Sequence, residues 1–182
     1  MRELETPRLL LRRYRADDVD FVLDMYSRWE VMRYLGSAPQ VMSDRAEAAE
    51  RVARWAAFDD GSNGVWLIAD RASGDRFGTA LMKGLPASGP TEPLSPSGET
   101  EIGWHLHPDA WGRGIATEAA GRVLQHAFDE GLDRVLAVTY PENAASQAVA
   151  RRIGMRALGL TDAYYNVRSQ LFRADRAAHP ES

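Results

Sequence analysis

Cysteine is absent from the 182 residues, which excludes disulfides, thiolate metal sites and any mechanism that parks a substrate group on an enzyme thiol. Long apolar runs are absent as well. The N-terminal MRELETPRLLLRR breaks its only apolar run with arginines, and no later stretch would span a bilayer, so the expected location is the cytoplasm. A basic surplus is also missing: a net charge of −4 and a pI near 5.6 leave no footprint for nucleic acid or an anionic membrane and mildly favour cationic partners. What remains, 45% hydrophobic content and no repeat or linker, suits one compact domain over residues 1–173, with 174–182 expected to fray.

Residues 8–13 (RLLLRR) read as a strand, 16–26 as a helix with acidic residues in its opening turn, and 31–35 as a further turn of helix. Ser43-Asp44 can cap a helix through RAEAAERVARWAAF with Ala46, Ala49, Val52, Ala53 and Ala56 as its apolar stripe, stopped by Gly61 and Gly64. Residues 65–69 and 76–82 flank ASGD as a strand pair, and 86–98, dense in Pro, Ser and Gly, read as a loop that either covers substrate as a lid or is a tolerated insertion. Then come a strand at 99–106, a helix through Phe128 closed by Gly131, an apolar strand at 135–139, a short helix in YPENAASQAVARRIG, and one or two tail strands with LFRA as the core of one. Strand, helix, strand, helix between 99 and 153 implies a right-handed βαβ crossover, hence one parallel strand pair on an otherwise antiparallel sheet, an α/β (α+β) fold with helices on both faces.

The stretch WGRGIATEAA is the chemical signal. A chain that turns through Gly112 and Gly114 into a helix leaves backbone N–H groups unpaired at the positive end of the helix dipole, an anion site with no side-chain bulk at Gly112, Gly114 and Ala116; Arg113 adds charge and Thr117 a hydroxyl. The bland alternative is a turn that only lets helix and sheet pack closely. A dinucleotide-binding GxGxxG wants a small residue where Thr117 stands and should follow its strand directly, whereas HPDAW intervenes. No GK[ST] P-loop and no kinase elements occur.

WGRGIA resembles the pyrophosphate-binding Q/R-x-x-G-x-G/A motif of the GCN5-related N-acetyltransferase (GNAT) superfamily. ETPRLLLRRYRADD, VMRYLG, EIGWHLHPDAWGRGIATEAA, YPENAASQAVARRIGM and DAYYNVRSQLFRA, in that order, resemble its ribosomal-protein N-terminal acetyltransferase branch over nearly the whole chain. Trp111 stands where the superfamily has Gln or Arg, and Met155 where Phe usually follows IG. The resemblance implies a V-shaped mixed sheet and acetyl-CoA as co-substrate, with no metal. Its pyrophosphate would lie on Gly112, Arg113, Gly114, Ile115, Ala116 and Thr117, and its pantetheine arm would pair with backbone near Trp104, His105 and Leu106 where the parallel strands diverge. Asn143 would bind the cofactor through its side-chain amide, and Ser146 would lie beside the sulfur.

Without a cysteine, direct attack of an amine on the thioester is the simplest chemistry, and a protonated amine needs a base. Glu101 is the first candidate and Asp162 the second, with Glu101 as a solvated strand carboxylate the competing reading. Ser146 is read either as proton donor to the leaving thiolate or as a helix-capping residue, with Tyr164 and Tyr165 in reserve. His105 and His107 have metal-ligand spacing but no third ligand, which favours packing or the cleft rim. Trp29, Trp55 and Trp66 are expected in the core or a pocket wall, and Arg151 or Arg152 near the CoA 3′-phosphate. The expected acceptor is a primary amine: a protein N-terminus by branch resemblance, alternatively a small amine or aminoglycoside. A non-catalytic acyl-CoA-binding domain is the rival from another class. No nucleic-acid or membrane partner is expected, and the chain is expected as a monomer or homodimer.

Overall fold

The computed structural model describes residues 1–176. Among them the strands are β1 (Leu4–Glu5), β2 (Leu9–Arg13), β3 (Gly64–Asp70), β4 (Arg76–Pro86), β5 (Pro96–Leu106), β6 (Arg134–Thr139), β7 (Arg156–Thr161) and β8 (Ser169–Asp175). The helices are α1 (Val19–Tyr26), α2 (Trp29–Met32), α3 (Arg45–Ala57), α4 (Ile115–Asp129) and α5 (Ala144–Arg152). One sheet runs β1-β2-β3-β4-β5-β6-β8-β7. Every neighbouring pair is antiparallel except β5 with β6, which α4 joins as the expected crossover.

Alternation along the central strands divides the core. Trp66, Ile68, Ala80, Met82, Ile102 and Leu106 turn to α4, which buries Ile115, Ala119, Val123, Leu124, Ala127 and Phe128 against them. Val65, Leu67 and Ala69 turn the other way, to Val22, Met25 and Tyr26 of α1 and Ala48 and Val52 of α3. With both faces covered, β3 carries no solvated side and reads as a continuous apolar run.

Several expectations shift. β4 and β5 extend to Pro86 and back to Pro96, so the irregular loop is shorter than the Pro/Ser/Gly composition implies. On α3 the buried stripe is Ala48 and Val52, flanked by Ala49, Trp55 and Ala56, whereas Ala46 and Ala53 face solvent. A run of alanines has too little contrast to fix the face. Trp29 is exposed at 56%, not in the core, while Trp66 is fully buried and Trp55 packs on the Tyr14 and Tyr26 rings. Ala174 and Asp175, assigned to the fraying tail, pair with Val135 and Arg134 in β8; residues 177–182 lie outside the described residues.

The lead-in to α1 holds a buried ion cluster. The Asp18 carboxylate is fully buried and accepts 2.8 Å bonds from Nη1 and Nη2 of Arg12, a 2.7 Å bond from Arg76 Nε and a 2.8 Å bond from the Arg15 N–H. Burial opposes the charge, but these donors outweigh it and hold the carboxyl below its ordinary pKa. Asp18 therefore adds stability that is present above the unfolded carboxylate value of about 4 and is lost as pH falls through the lower folded value. Asp18→Ala is expected to cost about 3–5 kcal/mol, since it strands Arg12 in the interior; urea unfolding at pH 7 and pH 3 checks both the loss and its shrinkage in acid.

Candidate active site

The chain leaves β5 through a 3-10 turn at Pro108–Ala110 and bends through Gly112 and Gly114, whose φ angles of 71° and 76° lie in the left-handed region that glycine enters freely. The indole N–H of Trp111 donates to the Leu106 carbonyl at 3.0 Å and ties this bend to the end of β5. The first bond of α4 is Glu118 N–H to the Gly114 carbonyl, and Gly114 supplies no side-chain cap. The backbone nitrogens of residues 112–117 thus find no acceptor among the described residues, at the positive end of a 15-residue helix. Arg8 braces the loop from outside: Nε donates to Glu118 Oε2 at 2.7 Å and Nη1 to the Arg113 carbonyl at 3.2 Å, while Thr6 Oγ1 donates to Glu118 Oε1 at 2.5 Å.

β5 and β6 pair at one register position, Glu101 with Leu136, and diverge beyond it. The opening is a cleft of about 280 Å³ lined by Glu101, Gly103, Trp104 and His105 of β5, Lys83 of β4, and Asn143, Ser146 and Tyr165. Tyr34, Leu35, Gly36 and Tyr140 complete one wall, with the Tyr140 hydroxyl donating to the Gly36 carbonyl at 2.7 Å.

Glu101 sits at the apex and is not the solvated carboxylate of the competing reading: only 6% of the residue is exposed. Lys83, its register partner on β4, places Nζ 3.6 Å from Oε1, and the Tyr165 hydroxyl donates to the same oxygen. Burial raises the carboxyl above its ordinary pKa, against the pull of Lys83 and Tyr165. Tyr165 reaches it from a left-handed backbone, φ 58°, followed by Asn166 at 54°. Such a conformation costs a tyrosine about 1–3 kcal/mol and persists only where its surroundings enforce it. Here they do. Ser88 N–H donates to the Ala163 carbonyl at 2.8 Å, Gly89 N–H to Asn166 Oδ1 at 2.9 Å, and Asn166 Nδ2 to the Gly89 carbonyl at 3.0 Å, so the start of the Pro-rich loop is stitched to the turn that carries Tyr165.

At the opposite wall, Asn143 Oδ1 accepts the Ser146 N–H at 3.1 Å and caps α5, leaving its amide N–H₂ and the Ser146 hydroxyl beside the cleft. His105 Nδ1 lies 3.0 Å from the Tyr26 hydroxyl. Burial, with Lys83 and Arg51 adding positive potential, lowers the His105 pKa to about 4, so the ring is neutral at pH 7. His107 bonds Asp24 Oδ2 at 3.1 Å and accepts the Asp109 N–H at 3.2 Å, a packing role. No group of three or more His, Cys, Asp or Glu among the described residues is placed to hold a metal ion.

Other candidates fall elsewhere. Asp162 is exposed and outside the cleft-lining set, and Tyr164 instead bridges to Ala87. The Leu106 carbonyl is taken by Trp111, so the free edge of β5 centres on residues 103–105. Arg151 stacks over the Phe172 ring and bonds Gln147, whereas Arg152 lines a groove of about 300 Å³ together with Thr117 at the start of α4. Met155 packs into the core. Sequence reasoning missed Lys83 and Arg8. The first was legible only through the β4–β5 register, and the second stood in the quoted ETPRLLLRR with no partner to give it meaning.

The chain matches the model of the acetyltransferase (GNAT) domain family over residues 8–156. It belongs to that family, and is an acetyl-transferring enzyme. Among curated relatives it is 28% identical over 163 residues to the uncharacterized N-acetyltransferase YoaA of Bacillus subtilis, covering 88% of this chain and 86% of YoaA. The fold is shared with the ribosomal L7/L12 alpha-N-protein acetyltransferase RimL in complex with coenzyme A (TM-score 0.74, 18% identity, 96% of this chain and 98% of that one). It is also shared with the microcin C7 self-immunity acetyltransferase MccE in complex with acetyl-CoA and AMP (TM-score 0.72, 14% identity, 93% of each chain).

The cluster at the apex makes a titration prediction. Tyr165→Phe removes a donor that favours ionised Glu101 and Lys83→Met removes a cation, so each is expected to raise the Glu101 pKa further. A ¹³C NMR titration of the carboxyl carbon reads the direction; an unchanged or lowered value in both variants contradicts the arrangement.

Proposed function

We propose that the chain transfers the acetyl group of acetyl-CoA directly to a primary amine, and that the acceptor is a protein N-terminal α-amine, as in the ribosomal-protein branch that the sequence resembles. The observation that carries this reading is the set of unpaired amides of residues 112–117 that follows the strand whose pairing with β6 stops at Glu101. The amides at the start of α4 take the pyrophosphate, with Arg113 at the rim and Arg152 toward the 3′-phosphate. The pantetheine amides pair with the free edge of β5 at residues 103–105 as a substitute strand, and the Asn143 amide holds the arm from the other side. This directs the thioester to the apex of the splay.

Glu101 accepts a proton from the incoming ammonium, directly or through a water, and the freed amine attacks the thioester carbonyl. A backbone N–H of β5 supports the oxyanion. The tetrahedral adduct then collapses to the amide, releasing the second nitrogen proton to water and expelling the CoA thiolate, which the Ser146 hydroxyl protonates as it takes up a proton from water in turn. Tyr165 is committed to Glu101 and is no reserve donor to sulfur. An α-amine with a pKa of about 8 is easier to deprotonate than a lysine amine at about 10. Lys83 beside the base counts against polycationic acceptors such as aminoglycosides. The burial of Glu101 among charge and hydroxyl partners argues against an acyl-CoA sensor that transfers nothing.

Thiol release from acetyl-CoA is expected to be faster with a peptide starting in Ser or Ala than with polyamine or aminoglycoside. Tight CoA binding with no turnover on any acceptor would favour the sensor. Gly114→Val forces a β-branched residue into a left-handed backbone beside Arg8 Nη2, and is expected to raise the Kd for CoA at least about tenfold by calorimetry. Glu101→Gln is expected to lower kcat by about 100-fold or more with the Kd for acetyl-CoA unchanged. In the wild type the rate falls as pH drops through the raised Glu101 pKa; in the variant that limb disappears and only the amine's own ionisation remains.

A further inference from the structure

Hydrogen-bond accounting fixes what His105 shows to the cleft. The Tyr14 hydroxyl lies 2.7 Å from Thr79 Oγ1, Thr79 Oγ1 lies 2.8 Å from the Tyr26 hydroxyl, and the Tyr26 hydroxyl lies 3.0 Å from His105 Nδ1. Tyr14, Tyr26 and Thr79 are each at most 2% exposed. Each hydroxyl has one proton to give, and among the described residues Tyr14 has no acceptor but Thr79. Tyr14 must therefore donate to Thr79; Thr79, whose proton has no other acceptor among the described residues, must donate to Tyr26, and this leaves the Tyr26 proton for His105 Nδ1. Run in the opposite sense, the chain would leave the Tyr14 proton buried and unsatisfied, at a cost that the observed sense avoids. His105 is thereby fixed as the tautomer protonated at Nε2, a nitrogen with no partner among the described residues, on a ring that lines the cleft.

His105 shares its face of β5 with Glu101, on the side away from α4, and at Gly103 between them the cleft is bordered by the Leu81 side chain, which lies 3.2 Å from where a Cβ would stand. Four residues of strand separate the two α-carbons by about 13 Å. We propose that His105 is a specificity-determining residue that donates from Nε2 to a peptide carbonyl one or two residues from the reacting amine while Glu101 takes the proton of that amine. The substrate class is thus an extended peptide N-terminus, not a simple amine, and Tyr26 is a positioning residue that acts through His105. This rests on the acetyl-transfer reading above.

The test has two arms. In the first, ¹⁵N NMR of the histidine rings at pH 7 is expected to show His105 with a bare Nδ1 and a protonated Nε2. Tyr26→Phe is expected to bring the other tautomer into the spectrum. A wild-type ring protonated at Nδ1, or at both nitrogens, overturns the proposal, and this arm needs no turnover. In the second, KM is measured for a Ser-starting peptide amide and for a diamine of similar length without a carbonyl, using acetyl-CoA as donor. His105→Leu is expected to raise the peptide KM about five- to tenfold more than the diamine KM, the worth of one hydrogen bond. His105→Gln, which keeps a donor near the Nε2 position, is expected to restore the peptide KM to within about twofold, a small part of that one hydrogen bond. An unchanged peptide KM in His105→Leu overturns the recognition role alone. No turnover on either acceptor overturns the acetyl-transfer reading and the recognition role with it, while the ring spectrum still decides the tautomer.

Discussion

Parallel pairing between β5 and β6 stops after a single pair, Glu101 with Leu136, and the rest of the site depends on that interruption. Had the ladder continued, the backbone of residues 103–105 would be consumed by β6 and no extended arm could lie against it. The right-handed crossover adds a second constraint. Because a short turn alone separates β5 from α4, on the proposed reading an anion held by the N-terminal amides of α4 has its attached chain directed into the splay, toward the buried Glu101 carboxylate.

Burial acts on Glu101 and His105 of β5 in opposite senses. Glu101 is raised above the ordinary carboxylate pKa, and His105 is pushed down to about 4, which leaves its ring neutral at pH 7. On the proposed reading the same loss of water sorts them into a proton acceptor and a fixed hydrogen-bond donor. Lys83 contributes to both: it moderates the carboxylate and raises the cost of a second cation on the imidazole. The strained Tyr165 completes the set, and the stitching of residues 88 and 89 to Ala163 and Asn166 is what keeps it there.

Much of this was legible in the sequence because the responsible features are local. The glycines at 112 and 114, the Asp44 cap, the turn at ASGD and the βαβ order each announce themselves within a few residues, and all appear in the structure, whereas the cap of α5 is Asn143 and not Ser146. What was not legible depends on register and long-range contact. Lys83 gains meaning only opposite Glu101, Arg8 only across the gap to Glu118, and the Tyr14–Thr79–Tyr26–His105 chain joins four segments that no spacing rule connects. Asp162 illustrates the converse: its place just before two tyrosines marked it as a base, yet the turn carries it to the surface and delivers Tyr165 instead.

The most direct measurement of the central claim is the amide spectrum of ¹⁵N-labelled protein titrated with CoA and, separately, with pantetheine, which lacks the diphosphate. The account predicts that CoA moves the amides of residues 112–117 together with those of 103–105, and that pantetheine moves only the latter. Saturation by CoA with the amides of 112–117 left in place would contradict it.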